Sequence, residues 1–270
     1  MNDVIDLDAY FARIGYGGAR EPTLAALQAL HAAHPHAIPF ENLDVLLGRR
    51  IRLDLASLQA KLVEGRRGGY CFEHNLLFGE VLRALGFGVT DLAGRVQWMG
   101  RTGPRTHMLL RVETPDGPHL ADVGFGGMVK TAALPLRPGM EQDTGHGLFR
   151  LVPRGDELQL QAMLPDGWEP MYQFGPAPQT LADYEMANWY VATHEASPFT
   201  SNLMVGWVTP ERRYGLTNNL LSIHQRGGQT EKHRLSAPEL DSLMHDTFGL
   251  ARPGDAQALA ALYGRLGGGA

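Results

Sequence analysis

The spacing of apolar residues changes near Gly88, and this change limits the folds available to the chain more than any other feature. Before it, apolar residues recur at helical intervals, as in Leu24, Leu27 and Leu30, and Asp54 is placed to cap a further helix. After it, short apolar runs separated by proline and glycine turns predict strands. We therefore predict an α+β fold in which helices come first and a strand meander then closes into a barrel or sandwich.

The C-terminal part of the chain returns to a mixture of helices and strands. The sequence predicts a linking helix over residues 181–195 and strands over 203–208 and 220–224. A capping box at Ser236 and a late apolar stripe from about Asp255 predict two final helices. No internal repeat is evident in the sequence.

Composition is that of an ordinary globular protein. The 270 residues are 44% hydrophobic, and a net charge of -5 provides no basic field to attract nucleic acid. One cysteine excludes an internal disulfide and a cysteine-rich metal site, which fits a reducing compartment. Residues 1–6 are acidic, and no run approaches the roughly 20 apolar residues of a membrane span. We therefore expect a cytoplasmic protein without nucleic-acid or membrane partners.

The single cysteine, Cys71, follows two glycines and a tyrosine at the predicted start of a helix. Apolar residues between Phe72 and Leu85 recur at helical spacing, and Gly86 stands where a left-handed C-terminal cap is expected. A thiol at a helix N-terminus beside an imidazolium has a lowered pKa and reacts as the thiolate. A buried structural cysteine is the competing interpretation, so the choice depends on partners elsewhere in the chain.

Two short apolar segments supply those partners. Residues 106–112 and 119–124 are predicted strands joined by a Pro-Asp-Gly turn, so His107 and Asp122 are expected on neighbouring arms of a hairpin. A thiol triad needs a base near the sulfur and a carboxylate that fixes the tautomer of the base. The sequence therefore favours a catalytic triad of His107 and Asp122 with Cys71.

The other histidines are assigned structural roles. His74 lies one helical turn after Cys71, but its ring is expected to point along the helix, so we assign it a packing role. His31, His34 and His36 are interrupted by a proline and lack a carboxylate at helical spacing. We expect these three to be solvated near a helix end, and the sequence predicts no metal site.

Several segments resemble the signature segments of the arylamine N-acetyltransferase family in residue type, order and spacing. These segments are Ile38-Pro39-Phe40-Glu41-Asn42-Leu43, Arg67-Gly68-Gly69-Tyr70-Cys71, Thr106-His107 and Ala121-Asp122-Val123-Gly124-Phe125-Gly126-Gly127. At the N-terminus the match extends to Asp8-Ala9-Tyr10 and Arg13-Ile14-Gly15-Tyr16. The resemblance is dense to about Gly127 and thin after about Thr200, so the C-terminal part is assigned by continuity.

The resemblance implies an architecture of three parts. A helical subdomain over residues 1–87 would carry the cysteine, and a β-barrel over residues 88–183 would carry the histidine and the aspartate. A linking helix and an α/β lid would occupy residues 184–270. The arrangement of the triad would be like that of transglutaminases and papain, with the active site between the first two parts.

The resemblance also implies an activity. Acetyl-CoA would acetylate Cys71, with His107 as the base and Asp122 as the group that orients it. The acetyl group would then pass, in a ping-pong reaction, to the nitrogen of an arylamine, an arylhydrazine or an N-hydroxyarylamine. Acetyl-CoA would be a cosubstrate, with no tightly bound cofactor, and the chain would act as a monomer or a homo-oligomer.

Further residues are candidates for contact with the substrates. The backbone N–H groups of residues 124–127 directly follow Asp122 and could face an acyl oxygen or the pyrophosphate of CoA. By the resemblance, Phe125 would line the acceptor pocket, where an aromatic amine can stack. The full set of candidate substrate and CoA contacts is Phe40, Thr106, Phe125, Gly126, Gly127 and Met204.

Glu41 and Arg67 are candidates for support of the site. Glu41 lies within an apolar segment, and Arg67 immediately precedes the glycines that lead to Cys71. A charged side chain in such a place needs a partner if it is buried. We expect a buried pair that fixes the loop before the cysteine, against the competing interpretation of two exposed and unrelated charges.

Three other functions remain open from the sequence. A thiol hydrolase or transamidase of the transglutaminase or papain type shares the chemistry, but nothing in the sequence marks a peptide groove. A binding module that keeps the triad as a relic is disfavoured by the intact trio. An amide synthase of related fold that acts on a larger acceptor is the closest variant.

Overall fold

Helices occupy the N-terminal part of the chain up to Ala84. The structure, a computed structural model, describes residues 4–100 and 103–267. The carboxylate of Asp6 caps the first helix by accepting a hydrogen bond from the Ala9 amide, and Thr23 caps the second in the same way. In chain order the elements are α1 (Leu7–Ile14), α2 (Leu24–Ala37), the short strand β1 (Phe40–Glu41), α3 (Leu43–Leu46), α4 (Leu55–Leu58), a π-helix (Gln59–Glu64) and α5 (Cys71–Ala84).

An antiparallel sheet follows and closes almost completely into a barrel. Its strands are β2 (Gly88–Val96), β3 (Arg105–Thr114), β4 (Gly117–Ala121), β5 (Leu134–Pro135), β6 (Glu141–Asp143), β7 (Leu148–Arg154), β8 (Glu157–Leu164) and β9 (Gly167–Phe174). The spatial order is β5-β4-β3-β2-β9-β8-β7-β6. The side-chain amide of Gln142 on β6 donates to the Pro135 carbonyl on β5 at 3.2 Å, which links the two edge strands.

A second sheet joins the two ends of the chain. The elements after the barrel are the linking helix α6 (Leu181–Thr193), β10 (Met204–Val208), β11 (Arg212–Thr217), β12 (Leu220–Gln225), β13 (Thr230–Arg234), α7 (Ala237–Ser242), a π-helix (Leu243–Thr247) and α8 (Ala256–Gly267). Strand β1 pairs with β10, with Phe40 opposite Gly206, and the spatial order is β1-β10-β11-β12-β13. The helical N-terminal part therefore contributes a strand to the C-terminal sheet, and the division into three subdomains stays a prediction.

Strand β3 connects the packing of the helices with that of the barrel. Met108 and Leu110 are buried in one core cluster with residues of α5, whereas Leu109 is buried in the barrel cluster with Phe149 and Leu160. This alternation follows from the two-residue period of a strand. Helix α5 and the barrel thus meet at β3. Within the described ranges, no helix has the length and apolar character needed to cross a membrane.

Candidate active site

Cys71 is the first residue of α5 and is buried against β3 and the loop after β4. Its sulfur donates a hydrogen bond to the Thr106 carbonyl oxygen at 3.6 Å. Gly124 allows the loop to reach the helix start, because a Cβ atom on Gly124 would lie 2.8 Å from the Cα of Cys71. The sulfur is therefore held where helix, strand and loop converge.

His107 and Asp122 are brought together by the hairpin of β3 and β4. The Nε2 atom of His107 lies 2.9 Å from Oδ2 of Asp122, and both side chains are buried. His107 is on β3, whereas Asp122 lies one residue beyond the end of β4. The sulfur of Cys71 contacts the backbone on both sides of His107, at the Thr106 carbonyl and at the Met108 amide. Thiol, imidazole and carboxylate thus form one buried group.

Asp122 is surrounded by hydrogen-bond donors. Its Oδ2 accepts from His107 at 2.9 Å, the Tyr172 hydroxyl at 2.8 Å and Lys130 Nζ at 3.0 Å; its Oδ1 accepts from the Asn75 amide and the Gly124 backbone, each at 3.1 Å. Burial acts to raise the pKa of Asp122, but Lys130 and then His107 outweigh it and hold that pKa well below its usual range. The group is therefore a carboxylate at neutral pH and is fixed in orientation.

Three of these donors were missed from the sequence. Lys130 carried a signal, because it is a charged residue directly after Val129 in a largely apolar segment, the same argument that was applied to Glu41. Asn75 also carried one, since it lies one helical turn after Cys71 on α5. Tyr172 carried none, because only closure of the barrel brings β9 to the triad.

The pKa of Cys71 moves in the direction opposite to the sequence expectation. Burial raises the pKa of the Cys71 thiol to about 12, and the charges of Asp122 and Glu73 act in the same direction. The backbone N–H groups of Met108 and Phe72 oppose this shift. From the sequence, a helix terminus and an imidazolium are expected to lower this pKa, whereas the fold adds burial and two nearby carboxylates, which raise it. Formation of the thiolate therefore depends on transfer of its proton to a base.

A second buried cluster of charges lies beside the start of α5; we call it the anchor cluster, and it consists of Glu41, Asp44, Lys61, Arg67 and Glu73. Arg67 donates to Glu41 Oε1 through Nη2 at 2.7 Å and through Nε at 3.1 Å, and it also lies 3.3 Å from Asp44. Lys61 Nζ is 2.7 Å from both Asp44 and Glu73. Glu41 and Arg67 are both buried, so the interpretation of two exposed, unrelated charges does not hold.

The anchor cluster is tied to the segment that leads to Cys71. Glu73 accepts a hydrogen bond from the Tyr70 amide at 3.0 Å, and the Glu41 amide donates to the Gly69 carbonyl at 2.7 Å. A Cβ atom on Gly68 would lie 2.1 Å from the Pro39 carbonyl oxygen, so the chain can pass here only as glycine. The contacts fix the approach to the cysteine from both sides of the loop.

The prediction that the α2 histidines are solvated was wrong for His31 and His34. Both are fully buried, because α2 packs this face against α5. His31 Nε2 accepts from the Asp122 amide at 3.0 Å, and His34 lies 2.8 Å from His74 and 2.7 Å from the Tyr10 hydroxyl. Burial lowers the pKa of His31 to about 3 and that of His74 to about 4. Among the described residues, no group of three or more potential ligands is placed to hold a metal ion.

Phe125 forms a wall beside the triad. Its ring centroid lies 4.8 Å from that of His107, nearly perpendicular to it, and 5.1 Å from that of Tyr172. The residue is half-buried, so one side of the ring can meet a small molecule. Of the other candidates, Thr106 adjoins the sulfur directly through its carbonyl oxygen.

The remaining candidates surround the turn after Phe125. Gly126 has a φ of 56°, and a Cβ atom there would lie 3.5 Å from the Phe40 ring. Gly206 on β10 packs so closely on this turn that a Cβ atom would lie 2.4 Å from the Gly126 carbonyl carbon. Met204 is half-buried on the same strand, so β1, β10 and the turn share one side of the site. Contact of these residues with substrate stays a prediction.

A buried thiol, imidazole and carboxylate at a helix start is the arrangement of enzymes with a cysteine nucleophile. The sequence profile of the N-acetyltransferase family matches residues 23–254. The chain is 44% identical over 255 residues to an arylamine N-acetyltransferase of Mycolicibacterium smegmatis, which covers 91% of this chain and 92% of the relative. It belongs to the arylamine N-acetyltransferase family.

Solved structures agree with this assignment. The structure of Mycobacterium marinum arylamine N-acetyltransferase is similar with a TM-score of 0.94 at 43% identity, over 97% of this chain and 100% of the other. Its structure in complex with CoA gives a TM-score of 0.91 at 42% identity, over 97% and 99%. The family resemblance, the α+β fold and the class of enzyme, an acyltransferase, are thereby confirmed.

Proposed function

We propose that this chain transfers the acetyl group of acetyl-CoA to the nitrogen of arylamines, arylhydrazines or N-hydroxyarylamines, with the acetyl group carried on Cys71. The observation that supports this most is the contact of His107 with Asp122 directly beside the buried sulfur. Family membership supports an acetyl donor and the kind of acceptor, and the related structure in complex with CoA supports CoA as the carrier of the acetyl group.

In the first half-reaction the sulfur gives its proton to His107 and attacks the carbonyl carbon of acetyl-CoA. A new C–S bond forms to Cys71, the C–S bond to CoA breaks, and the CoA sulfur takes the proton from the His107 imidazolium. The backbone N–H groups of Phe72 and Met108, which already face the sulfur, stabilise its negative charge before the attack. Asp122 holds the imidazole in one tautomer and stabilises its charged form.

In the second half-reaction the amine nitrogen attacks the acetyl carbonyl carbon. The C–N bond forms, the bond to Cys71 breaks, and His107 takes a proton from the amine and returns it to the sulfur. Arylamines suit this step because their nitrogen is neutral at pH 7 and needs no prior deprotonation. Phe125 offers an aromatic face beside His107 on which the ring of the acceptor can pack.

The release of CoA without an acceptor tests this proposal. A rapidly mixed sample of protein and acetyl-CoA should release one CoA per chain and then stop until an arylamine is added. The Cys71→Ser variant is the control, since its weaker nucleophile should give no rapid release. Continuous CoA release without an acceptor would identify a thioester hydrolase instead, and no release at all would contradict any acyl-enzyme at this site.

A further inference from the structure

The side chain of Asn42 holds a loop that borders the site. This loop, which we call the Phe199 loop, spans residues 194–203 between α6 and β10. The Asn42 amide nitrogen donates to the carbonyl oxygens of Phe199 at 2.9 Å and Asn202 at 2.8 Å, and the side-chain oxygen accepts from the Met204 amide at 2.8 Å. Because Asn42 is buried, one side chain fixes the loop and the start of β10 at three points.

Asn42 does not cap its own helix. It occupies the N-cap of α3, where an asparagine side chain usually accepts from an amide of the first turn, but no such bond forms. The Leu43 amide donates instead to Glu41 Oε2 at 2.6 Å. Strand β1 ends at Glu41, and the bond between the Met204 amide and Asn42 extends the pairing of β1 with β10 by one step. The side chain of Asn42 therefore serves the Phe199 loop and not α3.

Asn218, in the turn between β11 and β12, holds the same loop from a second point. Its side-chain oxygen accepts from the Leu203 amide at 3.0 Å, and its nitrogen donates to Asn202 Oδ1 at 2.9 Å. The φ of Asn218 is 55°, a left-handed conformation that asparagine and glycine adopt most readily. The Asn202 side chain also donates to the Pro198 carbonyl at 3.0 Å. The shape of the loop thus depends on side chains outside it.

The Phe199 loop places one aromatic ring beside the approach to Cys71. The ring centroid of Phe199 lies 5.9 Å from that of Tyr70, nearly perpendicular to it, and 6.1 Å from that of Phe40. Tyr70 directly precedes the cysteine, and the Phe40 ring lies 3.5 Å from the position of a Cβ atom on Gly126. Tyr70 and Phe40 are buried, whereas Phe199 is half-buried and can meet a small molecule.

We propose that Asn42 is a positioning residue for the acceptor: through the Phe199 loop it holds the ring of Phe199 where the ring of an arylamine or arylhydrazine packs in the second half-reaction. The inference rests on the function proposed above. Two aromatic rings attract each other only at suitable distances and angles, so a displaced loop would lose this contact. A small aliphatic hydrazine has no ring, so its acetylation should not depend on Asn42.

The test compares two acceptors in the same protein. The kcat/KM values for phenylhydrazine and for methylhydrazine are measured with acetyl-CoA as donor, and their ratio is the readout. Asn42→Leu removes all three hydrogen bonds at a similar side-chain volume. The ratio should fall by about two- to tenfold at the expense of phenylhydrazine. A smaller fraction of folded molecules would lower both values equally, so it cancels in the ratio.

Two further variants show whether Asn42 acts through the ring. Phe199→Leu should lower the ratio to a similar extent, and its combination with Asn42→Leu should lower it no further, because both changes affect one contact. Asn219→Ala is the matched control. This residue adjoins Asn218, but its side chain donates to the Leu235 carbonyl and not to the Phe199 loop, so the ratio should not change.

Asn218→Gly replaces Asn42→Leu if the latter does not fold. Glycine adopts the same φ, so this change removes only the side-chain hydrogen bonds to the Phe199 loop, and the ratio should again fall. An unchanged ratio in these variants or in Phe199→Leu, or additive losses in the double variant, would overturn the inference alone. A parent protein that acetylates neither hydrazine would contradict the proposed function and the inference with it.

Discussion

Two buried clusters of charged residues flank Cys71, and only one of them contains groups that can exchange a proton with its sulfur. The anchor cluster pairs three carboxylates with Lys61 and Arg67 and includes neither a thiol nor an imidazole. The second, which we call the triad cluster, consists of Cys71, His107, Asp122, Lys130 and Tyr172. It contains one carboxylate and one ammonium, together with a thiol and an imidazole that can exchange a proton.

The two clusters separate the placement of Cys71 from the proposed activation of its thiol. Loss of one partner in either cluster strands a buried charge, so both kinds of change should reduce stability. Only changes in the triad cluster should alter rates and pH dependence in the molecules that remain folded. Measurements of stability alone therefore cannot distinguish the clusters, whereas stability and rate together can.

The largest effect is expected for Asp122→Asn. Because the amide can select the wrong tautomer of His107, the rate of CoA release in a single turnover should fall by about four orders of magnitude. The structure adds a cost in stability, because Lys130 loses its carboxylate in the protein interior.

The double variant Asp122→Asn with Lys130→Met sharpens this prediction. It removes both charges, so the free energy of unfolding in urea should recover, whereas the rate should not. Recovery of the rate together with stability would show that the carboxylate acts only as the partner of Lys130.

The next effect concerns the anchor cluster. Arg67→Met leaves Glu41 buried without its guanidinium, and the free energy of unfolding should fall by about 3 to 5 kcal/mol. Addition of Glu41→Gln should recover part of this loss, because the buried carboxylate that lacks its guanidinium partner is then also removed. Asp44 retains Lys61 in either variant.

Arg52→Met provides the matched control, because its ion pair with Asp54 is exposed and should contribute less than about 1 kcal/mol. If Arg52→Met and Arg67→Met lower the free energy of unfolding by similar amounts, burial of the Glu41–Arg67 pair does not add to its contribution to stability.

A smaller effect is expected for alkylation of Cys71. Burial raises the pKa of this thiol, so thiolate at pH 7 requires His107 as proton acceptor. His107→Gln should slow the reaction with iodoacetamide at pH 7 by at least about a hundredfold. The Arg67→Met variant, compared at the same fraction folded, should react within a few fold of the parent. Equal alkylation rates in the parent and in His107→Gln would show that the imidazole does not activate the thiol.

The last effect is a loss of stability in acid that is caused by the buried histidines. It is the smallest effect when it is counted for one histidine and one pH unit. Burial lowers the pKa of His31 to about 3, that of His74 to about 4, and that of His34 well below its usual value. The unfolded chain therefore binds more protons below about pH 6.5, and stability should fall as pH decreases from there toward pH 4, by about 1.4 kcal/mol per pH unit for each proton.

Urea unfolding at several pH values measures this slope. His74→Gln should reduce it by one proton, whereas His233→Gln, which alters an exposed residue on β13, should leave it unchanged. If the free energy of unfolding depends on pH equally in the parent and in His74→Gln, His74 takes up a proton in the folded protein as well.

The sequence predicted contacts between residues of one short segment. It missed contacts that form only when the barrel closes or the helices pack. His107 and Asp122 are 15 residues apart on one hairpin, so local turn geometry suffices to unite them. Tyr172 is 50 residues from Asp122 and reaches it only because β9 pairs within the barrel. The burial of His31 likewise depends on which face of α2 meets α5, a choice that helix periodicity alone does not make.

The central claim is that Cys71 carries the acetyl group, and intact-protein mass spectrometry tests it most directly. After brief mixing with acetyl-CoA and no acceptor, the chain should gain the mass of one acetyl group, peptide mapping should place that group on Cys71, and an arylamine should remove it. An acetyl group on another residue, or an unmodified chain that still acetylates arylamines at full rate, would contradict the account.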